Sequence, residues 1–552
     1  MDWKKLQNGS DIRGVAAAGV EGEEVNLTPE VAGVLARAFV AWLREAKGLD
    51  GRKSGGDCGS AGNAVADSGC GAGSAKAGSD CGRLTVAVGT DSRVTGPGLK
   101  AAVLQGLVAA GADAVDCGMA STPAMFMITI DGSSPCDAGI MITASHLPWN
   151  RNGLKFFTPQ GGLEKADISR VLEIAAGMDG AGTAGLATAA MAGQAANTTA
   201  GQAADATATA ATGTASARDY MSEYSAFLAD YIRRGAGSER PLEGMKIVVD
   251  AGNGAGGFFA TKVLAPLGAD ISGSRFLEPD GMFPNHVPNP ENAAAMQAVC
   301  SAVRESGADL GIIFDTDVDR SAIVDRAGEP INRNSLIALI ASVILREHPG
   351  STIVTDSVTS DGLAEFIAAR GGVHHRFKRG YKNVINECKR LNSEGGDSWL
   401  AIETSGHAAL RENHYLDDGA FLVAKLLVEA ARLRKEGKEL GSLIADLRQP
   451  LESVERRFKI SAPDFVAFGQ NVLDTIALRA PSVPGWSLAK PNYEGVRVNC
   501  SAPDERGWFL MRLSLHDPVL PLNIESDVAG GAARIEERLR GLLVAEGIEL
   551  SF

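Results

Sequence analysis

The sequence predicts an α/β protein of four domains, three related α/β domains followed by a smaller α+β domain. Three observations predict it. The chain has 552 residues, enough for about four domains at roughly 150 residues each. Three stretches read alike: "LTVAVGTDSRVTGPGLKAAVLQGLVAAGADAVDCG", "MKIVVDAGNGAGGFFATKVLAPLGADISG" and "STIVTDSVTSDGLAEFIAARGGVHHRF", starting near residues 84, 245 and 351. Each opens on a short β-branched run ending at Asp or Gly, continues with a helical apolar pattern, and closes on a second strand, which is a β-α-β unit. From about residue 455 the pattern changes: "VRVNCSAPDERGWFLMRLSL" reads as two strands joined by a turn, and "DVAGGAARIEERLRGLLVAEG" as a helix with one apolar face.

Two segments interrupt these units. Residues 51–82 and 177–217 are rich in Ala, Gly, Ser and Thr and nearly free of large apolar side chains. Such segments bury too little surface to offset chain entropy, and they read as flexible insertions. The expected domains are therefore 1–176 (with the 51–82 insertion), 218–328, 329–450 and 451–552, with 177–217 as a low-complexity insertion. Within the third domain, "SLIALIASVILREH" reads as a buried helix, too short for the 18 or more apolar residues of a membrane span.

A net charge of −14 argues against nucleic acid and anionic membranes as partners. An anionic substrate would need a local set of Lys, Arg and His. Eight cysteines without a CxxC fit neither a zinc site nor a disulfide scaffold, and point to a reducing compartment. The N-terminus lacks the apolar core of a signal peptide. The expectation is a soluble protein, cytoplasmic, or plastid if a transit peptide is missing from this chain.

Three stretches carry candidate chemistry. In "LGIIFDTDVDRSAIVD" a strand delivers Asp315, Asp317 and Asp319, then Arg320. Three hard oxygen ligands suit Mg²⁺, and carboxylates this close repel without a cation. An EF-hand fails here, because Arg320 and Arg326 stand where its Gly and Glu belong. An aspartyl nucleophile of the haloacid-dehalogenase kind stays open. In "DAGNGAGG", Gly252, Gly254 and Gly257 match a dinucleotide fingerprint, a weak signal alone, and a tight turn opening a helix is the favoured reading. In "MITASHLPWNRNGLKFF", Ser145 and His146 are adjacent, which does not make a triad, because the imidazole must approach the serine oxygen through space, and no G-x-S-x-G elbow occurs. A phosphoserine beside a carboxylate cluster is the functional reading, and a loop serine the bland one. Two further clusters are Glu403, Ser405 and His407 in "ETSGH", suited to sugar hydroxyls, and "RLSLHDP". In the latter, Arg512, Ser514 and His516 alternate along one face, suited to phosphate.

The ordered set resembles the α-D-phosphohexomutases, the family of phosphoglucomutase/phosphomannomutase and phosphoglucosamine mutase. "TASHLPWNRNGLK", "DTDVDR", "ETSGH" and "RLSLHDP" resemble its phosphoserine, metal, sugar and phosphate loops. "SDIRG", "VGTDSR" and "PDGMFPNHVPNPEN" support the match. The resemblance implies four domains around a central cleft and an isomerase interconverting hexose 1-phosphate and hexose 6-phosphate. It implies that Ser145 is phosphorylated and that Asp315, Asp317 and Asp319 hold Mg²⁺ with that phosphate. Arg13, His146, Lys155 and Arg320 would surround the transferring group, with Lys155 and His146 moving protons. Glu403, Ser405 and His407 would hold the sugar, Lys378 would lie near its phosphate, and Arg512, Ser514 and His516 would grip the unreactive phosphate. A hexose 1,6-bisphosphate would be intermediate and activator. The partner would be a small hexose phosphate, and the enzyme a monomer or homodimer.

The chain departs from the family pattern at Leu147 (usually Asn), Thr316 (usually Gly), Ile402 (often Gly) and His516-Asp517 (usually Thr-Glu). The altered phosphate loop keeps alternatives open: a phosphoglucosamine mutase, a weakly catalytic sugar-phosphate-binding protein, or a phosphatase that loses its intermediate to water.

Overall fold

The computed structural model describes residues 1–48, 83–179, 212–514 and 517–550. The 51–82 insertion and His516 lie outside the described residues. The chain forms two compact units, one of Met1–Met221 with Asp280–Met282 and one of the remainder.

In the first unit a hairpin of β1 (Gln7–Asn8) and β2 (Asp11–Val15) precedes α1 (Pro29–Ala46). Then follow β3 (Thr85–Thr90), α2 (Gly96–Ala109), β4 (Asp113–Met119), a short α3 (Thr122–Met127), β5 (Ala138–Ile142), β6 (Arg151–Thr158), β7 (Gly161–Gly162), α4 (Lys165–Asp179) and β8 (Ala215–Ala217). The sheet order is β1-β2-β6-β5-β3-β4-β8, with β7 beside β6. Strands β5, β3, β4 and β8 run parallel. All five residues of β5 are buried, as a central strand covered on both faces requires. Helix α1 starts where Thr28 accepts a hydrogen bond from Val31 N and Pro29 takes the first helical position. It buries Leu35, Phe39 and Leu43. Helices α1 and α2 touch through glycines: a Cβ on Gly106 would lie 2.5 Å from the Gly33 carbonyl.

The expected insertion 177–217 is corrected at both ends. Residues 177–179 finish α4, and Ala215–Ala217 form the sheet's edge strand on β4. An edge strand needs backbone hydrogen bonds and no apolar side chains, so composition did not reveal it. Residues 180–211 lie outside the described residues.

The second unit holds three sheets. The first, β12-β11-β10-β9, comes from β9 (Ile247–Asp250), β10 (Leu310–Phe314), β11 (Ser321–Val324) and β12 (Pro330–Ile331), preceded in the chain by α5 (Tyr220–Ala236) and packed against α6 (Ala293–Ser306). Its β-α-β unit is less regular than the sequence predicts. The helix over Phe259–Leu267 winds as a π turn and then a 3₁₀ turn, where Pro266 cannot donate to an α ladder. The second strand reduces to isolated bridges at Asp270 and Arg275.

The next sheet, β14-β13-β15-β16-β17, comes from β13 (Thr352–Thr355), β14 (Val373–Arg376), β15 (Ser398–Ile402), β16 (Ala408–Leu410) and β17 (Leu416–Asp417). It is accompanied by α7 (Arg333–Glu347), α8 (Asp361–Ala369), α9 (Tyr381–Ser393) and α10 (Gly419–Lys435). Helix α7 is the expected buried helix. The last sheet, β18-β22-β21-β20-β19, is antiparallel throughout. It uses β18 (Glu452–Lys459), β19 (Trp486–Leu488), β20 (Val496–Cys500), β21 (Gly507–Met511) and β22 (Val519–Ser526), with α11 (Phe465–Arg479) and α12 (Gly531–Ala545). The two strands and the helix expected in this last domain are β20, β21 and α12. No helix among the described residues is long and apolar enough to cross a membrane.

Candidate active site

The first unit builds the serine loop. Strand β5 ends at Ile142, and the chain turns through Thr143–Asn150 into β6. Ser145 is buried and adopts φ 50°, the left-handed region that non-glycine residues seldom occupy. What holds it there is Arg93, from the loop after the neighbouring strand β3. Its guanidinium, 1% exposed, donates to the carbonyls of Ser145 (2.5 Å), Leu147 (2.6 Å), Pro148 (2.7 Å) and Arg151 (3.0 Å). It also lies 3.3 Å from the Asp91 carboxylate. Asp91 accepts from Thr143 Oγ1 (2.7 Å), which accepts from Ser145 N (2.9 Å). Sequence reasoning gave Arg93 no role. The signal was topological: loops after adjacent parallel strands lie side by side.

Around the serine, His146 Nδ1 lies 3.4 Å from Ser145 Oγ, and the imidazole is exposed. Arg13, on β2, donates to the Thr143 carbonyl at 2.6 Å and pairs with Asp11 at 2.9 Å. This approach needs Gly153 on β6, where a Cβ would meet the Ile12 carbonyl at 2.2 Å and the Arg13 stem at 2.8 Å. Lys155 is buried on β6, opposite Met141 of β5. Leu147 replaces an expected Asn, yet its backbone carbonyl is the part that Arg93 holds. Gly281 packs on the other side of this arginine, a Cβ there falling 2.4 Å from Ser92 O and Val94 N.

The second unit builds the acidic and sugar-type loops, and joins them. Between β10 and β11, Asp315, Asp317 and Asp319 bring carboxylate oxygens within 4.8 Å of one another, all three at 0–1% exposure. Burial, then the neighbouring Asp319 charge, pushes the Asp315 carboxyl well above its usual range. Arg320 answers from the same loop, its Nε and Nη2 donating to Asp315 Oδ2 at 3.1 and 3.0 Å. Asn289, in the PDGMFPNHVPNPEN stretch, fixes the other end of that guanidinium at 3.2 Å. Thr316, where the family pattern has Gly, keeps an ordinary backbone. The left-handed position is Val318 at φ 68°. The glycines of DAGNGAGG are structural: a Cβ on Gly254 would meet the Thr316 carbonyl at 2.7 Å, and Ala255 N donates to that carbonyl at 2.8 Å.

The loop between β15 and β16 lies directly on the acidic loop. Arg320 and His407 form a backbone bridge, and Gly406 (φ 96°) fits only because it has no Cβ, which would strike the Ser321 carbonyl at 2.6 Å. Glu403 is buried, accepting from Gly380 N at 2.6 Å, with Ser405 Oγ 3.4 Å away. Burial, then the Asp356 charge, pushes its carboxyl up to about 7. His407 donates to Asp417 at 2.7 Å, 3.9 Å from Asp319, and stacks on Tyr381 with centroids 5.0 Å apart. Burial would lower its pKa, but Asp417 and Asp319 outweigh burial and lift it to about 9, so it is a cation at neutral pH.

Lys378 does not join this group. It is exposed and makes no hydrogen bond among the described residues. Its neighbour Arg379 is the residue held beside Glu403 and Glu494. Arg512 and Ser514 continue the β21–β22 ladder past the end of β21, donating backbone N–H to Pro521 and Val519. They therefore alternate along one face, as the pattern predicts, and Ser514 Oγ accepts from Asp517 N at 3.3 Å.

Each unit carries parts suited to phosphoryl-transfer chemistry: the first a backbone-clamped serine loop, the second a buried carboxylate triplet with a carboxylate-bearing loop built onto it. Known proteins agree. Family descriptions for phosphoglucomutase/phosphomannomutase α/β/α domains I, II and III match residues 63–179, 222–328 and 332–451. A phosphomannomutase of Escherichia coli is 30% identical, over 82% of this chain and 90% of that protein. A phosphomannomutase/phosphoglucomutase of Pseudomonas putida is 29% identical over 84% and 88%. The crystal structure of a phosphoglucomutase/phosphomannomutase family protein from Burkholderia thailandensis superimposes with a TM-score of 0.70 at 25% identity, covering 99% of this chain and 98% of that one. The chain belongs to the phosphoglucomutase/phosphomannomutase family of α-D-phosphohexomutases. It is an intramolecular phosphotransferase that interconverts hexose 1-phosphate and hexose 6-phosphate.

Proposed function

We propose that Ser145 carries the phosphoryl group that this enzyme transfers, and that glucose and mannose phosphates are its substrates. The carrying observation is the Arg93 clamp on Ser145, which fixes four carbonyls between residues 145 and 151 around a buried, left-handed serine. A structural loop serine has no need of that apparatus. The sugars follow from the relatives, which include phosphoglucomutase and phosphomannomutase.

The chemistry is then as follows. Ser145 Oγ gives its phosphoryl group to a free hydroxyl of the hexose monophosphate, forming a bisphosphorylated sugar, and takes back the other phosphate. Lys155 and His146 move the proton between sugar hydroxyl and solvent. Arg13 and Arg320 offset charge on the phosphoryl oxygens. Glu403 and Ser405 orient sugar hydroxyls, with His407 beside them, and Arg512 and Ser514 hold the unreactive phosphate. His516 would add a third donor there. Asp315, Asp317 and Asp319 fit Mg²⁺, since three buried oxygen donors converge and repel one another without a cation. When bound, the ion neutralises charge on the phosphoryl group.

Phosphorus NMR tests the reading. Protein supplied with Mg²⁺, glucose 1-phosphate or mannose 1-phosphate, and a trace of the matching bisphosphate should produce the 6-phosphate signal. Ser145→Ala should lose nearly all turnover. A Ser145→Ala variant as active as the parent would overturn the role of Ser145. Growth of inorganic phosphate in place of the 6-phosphate would replace the mutase by a phosphatase.

A further inference from the structure

We propose that Arg379 is a second arginine of the phosphate grip, closing with Arg512 on the phosphate that is not reacting and thereby setting the enzyme's affinity for phosphorylated sugars. This rests on the mutase reading above and extends it to a residue outside every motif of the phosphate loop.

The turn Arg379–Gly380 links the two loops that must share the substrate. Gly380 N donates to Glu403, and Arg379 N donates to Glu494 Oε2 at 3.1 Å. Glu494 also accepts from Ser357 Oγ. The next residue, Gly495 (φ 55°), lies against Arg512 so closely that a Cβ would fall 2.9 Å from Arg512 Cα. Arg379 is thus tied through residues 494–495 to Arg512 on one side and to the Glu403 carboxylate on the other.

Among the described residues, neither guanidinium group donates a hydrogen bond. Among the described residues, Arg379's has no hydrogen bond, and its ion pair is a long 3.8 Å contact with Glu291. Arg512 Nε is buried with no partner among the described residues. Asp356 and Glu403, the carboxylates whose charge acts most strongly on Arg379, accept instead from Thr404 Oγ1 at 2.7 Å and Gly380 N at 2.6 Å; Glu455 pairs with Arg457 at 2.8 Å, and Glu494 takes the Arg379 N–H and the Ser357 hydroxyl. Burial, and next the Arg379 charge, hold Arg512 below its ordinary value, which places the two cations within each other's field. Two neighbouring cations with unfilled donors favour a dianion, and a phosphoryl group offers each a bidentate acceptor pair. The departure of this phosphate loop from the family pattern at His516-Asp517 makes an additional donor the more useful.

The test reads binding apart from turnover. Calorimetric titration with glucose 6-phosphate gives Kd for the parent, Arg379→Ala and Arg379→Lys, and steady-state assays give KM and kcat. Loss of charge-assisted hydrogen bonds should raise Kd and KM about 10- to 100-fold, with kcat changed much less. Lys should restore little, lacking the fork, whereas free guanidinium ion should partly rescue the Ala variant, which a merely structural role would not allow. If the Ala variant fails to fold, Arg379→Gln, which keeps most of the stem, is read in its place. An unchanged Kd in a folded variant overturns the proposal. A parent protein that binds glucose 6-phosphate but never isomerises it overturns the mutase reading instead, and the Kd comparison still decides Arg379.

Discussion

At the scale of single residues, the site depends on side chains whose work is to hold other groups. Arg93 is fully buried and satisfies four carbonyls, with Asp91 as counter-ion. Removing it strands a buried carboxylate and four acceptors. Arg93→Ala should therefore cost about 3–5 kcal/mol in urea unfolding and abolish turnover. Arg93→Lys retains the charge but cannot reach four carbonyls at once, so it should fold and still lose most of kcat. A Lys variant with parental kcat would show that the fork does not position Ser145. Glu525 makes a different prediction. Burial raises its carboxyl from 4.5 to about 7, against the opposing hydrogen bonds of Ser360 and Trp508 and the charge of Arg497. The folded state binds this proton more tightly than the unfolded chain. The associated stability is fully present below pH 4.5 and is lost as pH rises through 7. The loss is on the order of 3 kcal/mol at about 1.4 kcal/mol per pKa unit. Urea midpoints at pH 5 and pH 8 should diverge less in Glu525→Gln than in the parent, and an equal divergence would remove Glu525 from the account.

Among elements, the decisive feature is loop packed on loop. The β15–β16 loop rests on the acidic loop through Gly406, whose left-handed backbone and 2.6 Å clearance exclude a side chain. Gly406→Ala should destabilise by about 1–3 kcal/mol and raise KM more than it lowers kcat, because Glu403 shifts while the aspartates keep their own strand. Steady-state kinetics with a thermal melt check this; a KM equal to the parent's would detach Glu403 from the sugar. The same scale shows what the sequence could reveal. Periodicity and β-branched runs located β3, α2 and β4, and β13, α8 and β14, because those helices are regular and their strands buried. It overstated the unit after β9, where Pro266 forces π and 3₁₀ winding and the return strand shrinks to bridges. It marked Ser145, the three aspartates and Glu403, whose residue types announce their chemistry. It gave no role to Arg93 and named Lys378, the exposed neighbour of Arg379. Which side chain of such a turn points inward is set by local backbone, here the left-handed Gly380 (φ 116°), and by strand neighbours that no local window contains.

For the molecule as a whole, a net charge of −14 coexists with three carboxylates buried together in the second unit. Packing them there stores repulsion that the Arg320 guanidinium only partly offsets. A divalent cation that binds the folded chain and not the unfolded one should release it. At a Mg²⁺ concentration 100 times Kd, the gain is about 2.7 kcal/mol. Calorimetric melts with EDTA and with Mg²⁺ should therefore differ, and the upward shift should belong to the transition of the second unit if the two compact units unfold separately. Asp317→Asn removes one of the three charges. It should melt higher than the parent in EDTA, since repulsion falls, yet gain less from Mg²⁺ and lose turnover. That crossing of stability and activity is the signature of a site kept for chemistry at the expense of packing. A variant that gains as much from Mg²⁺ as the parent would place the ion elsewhere.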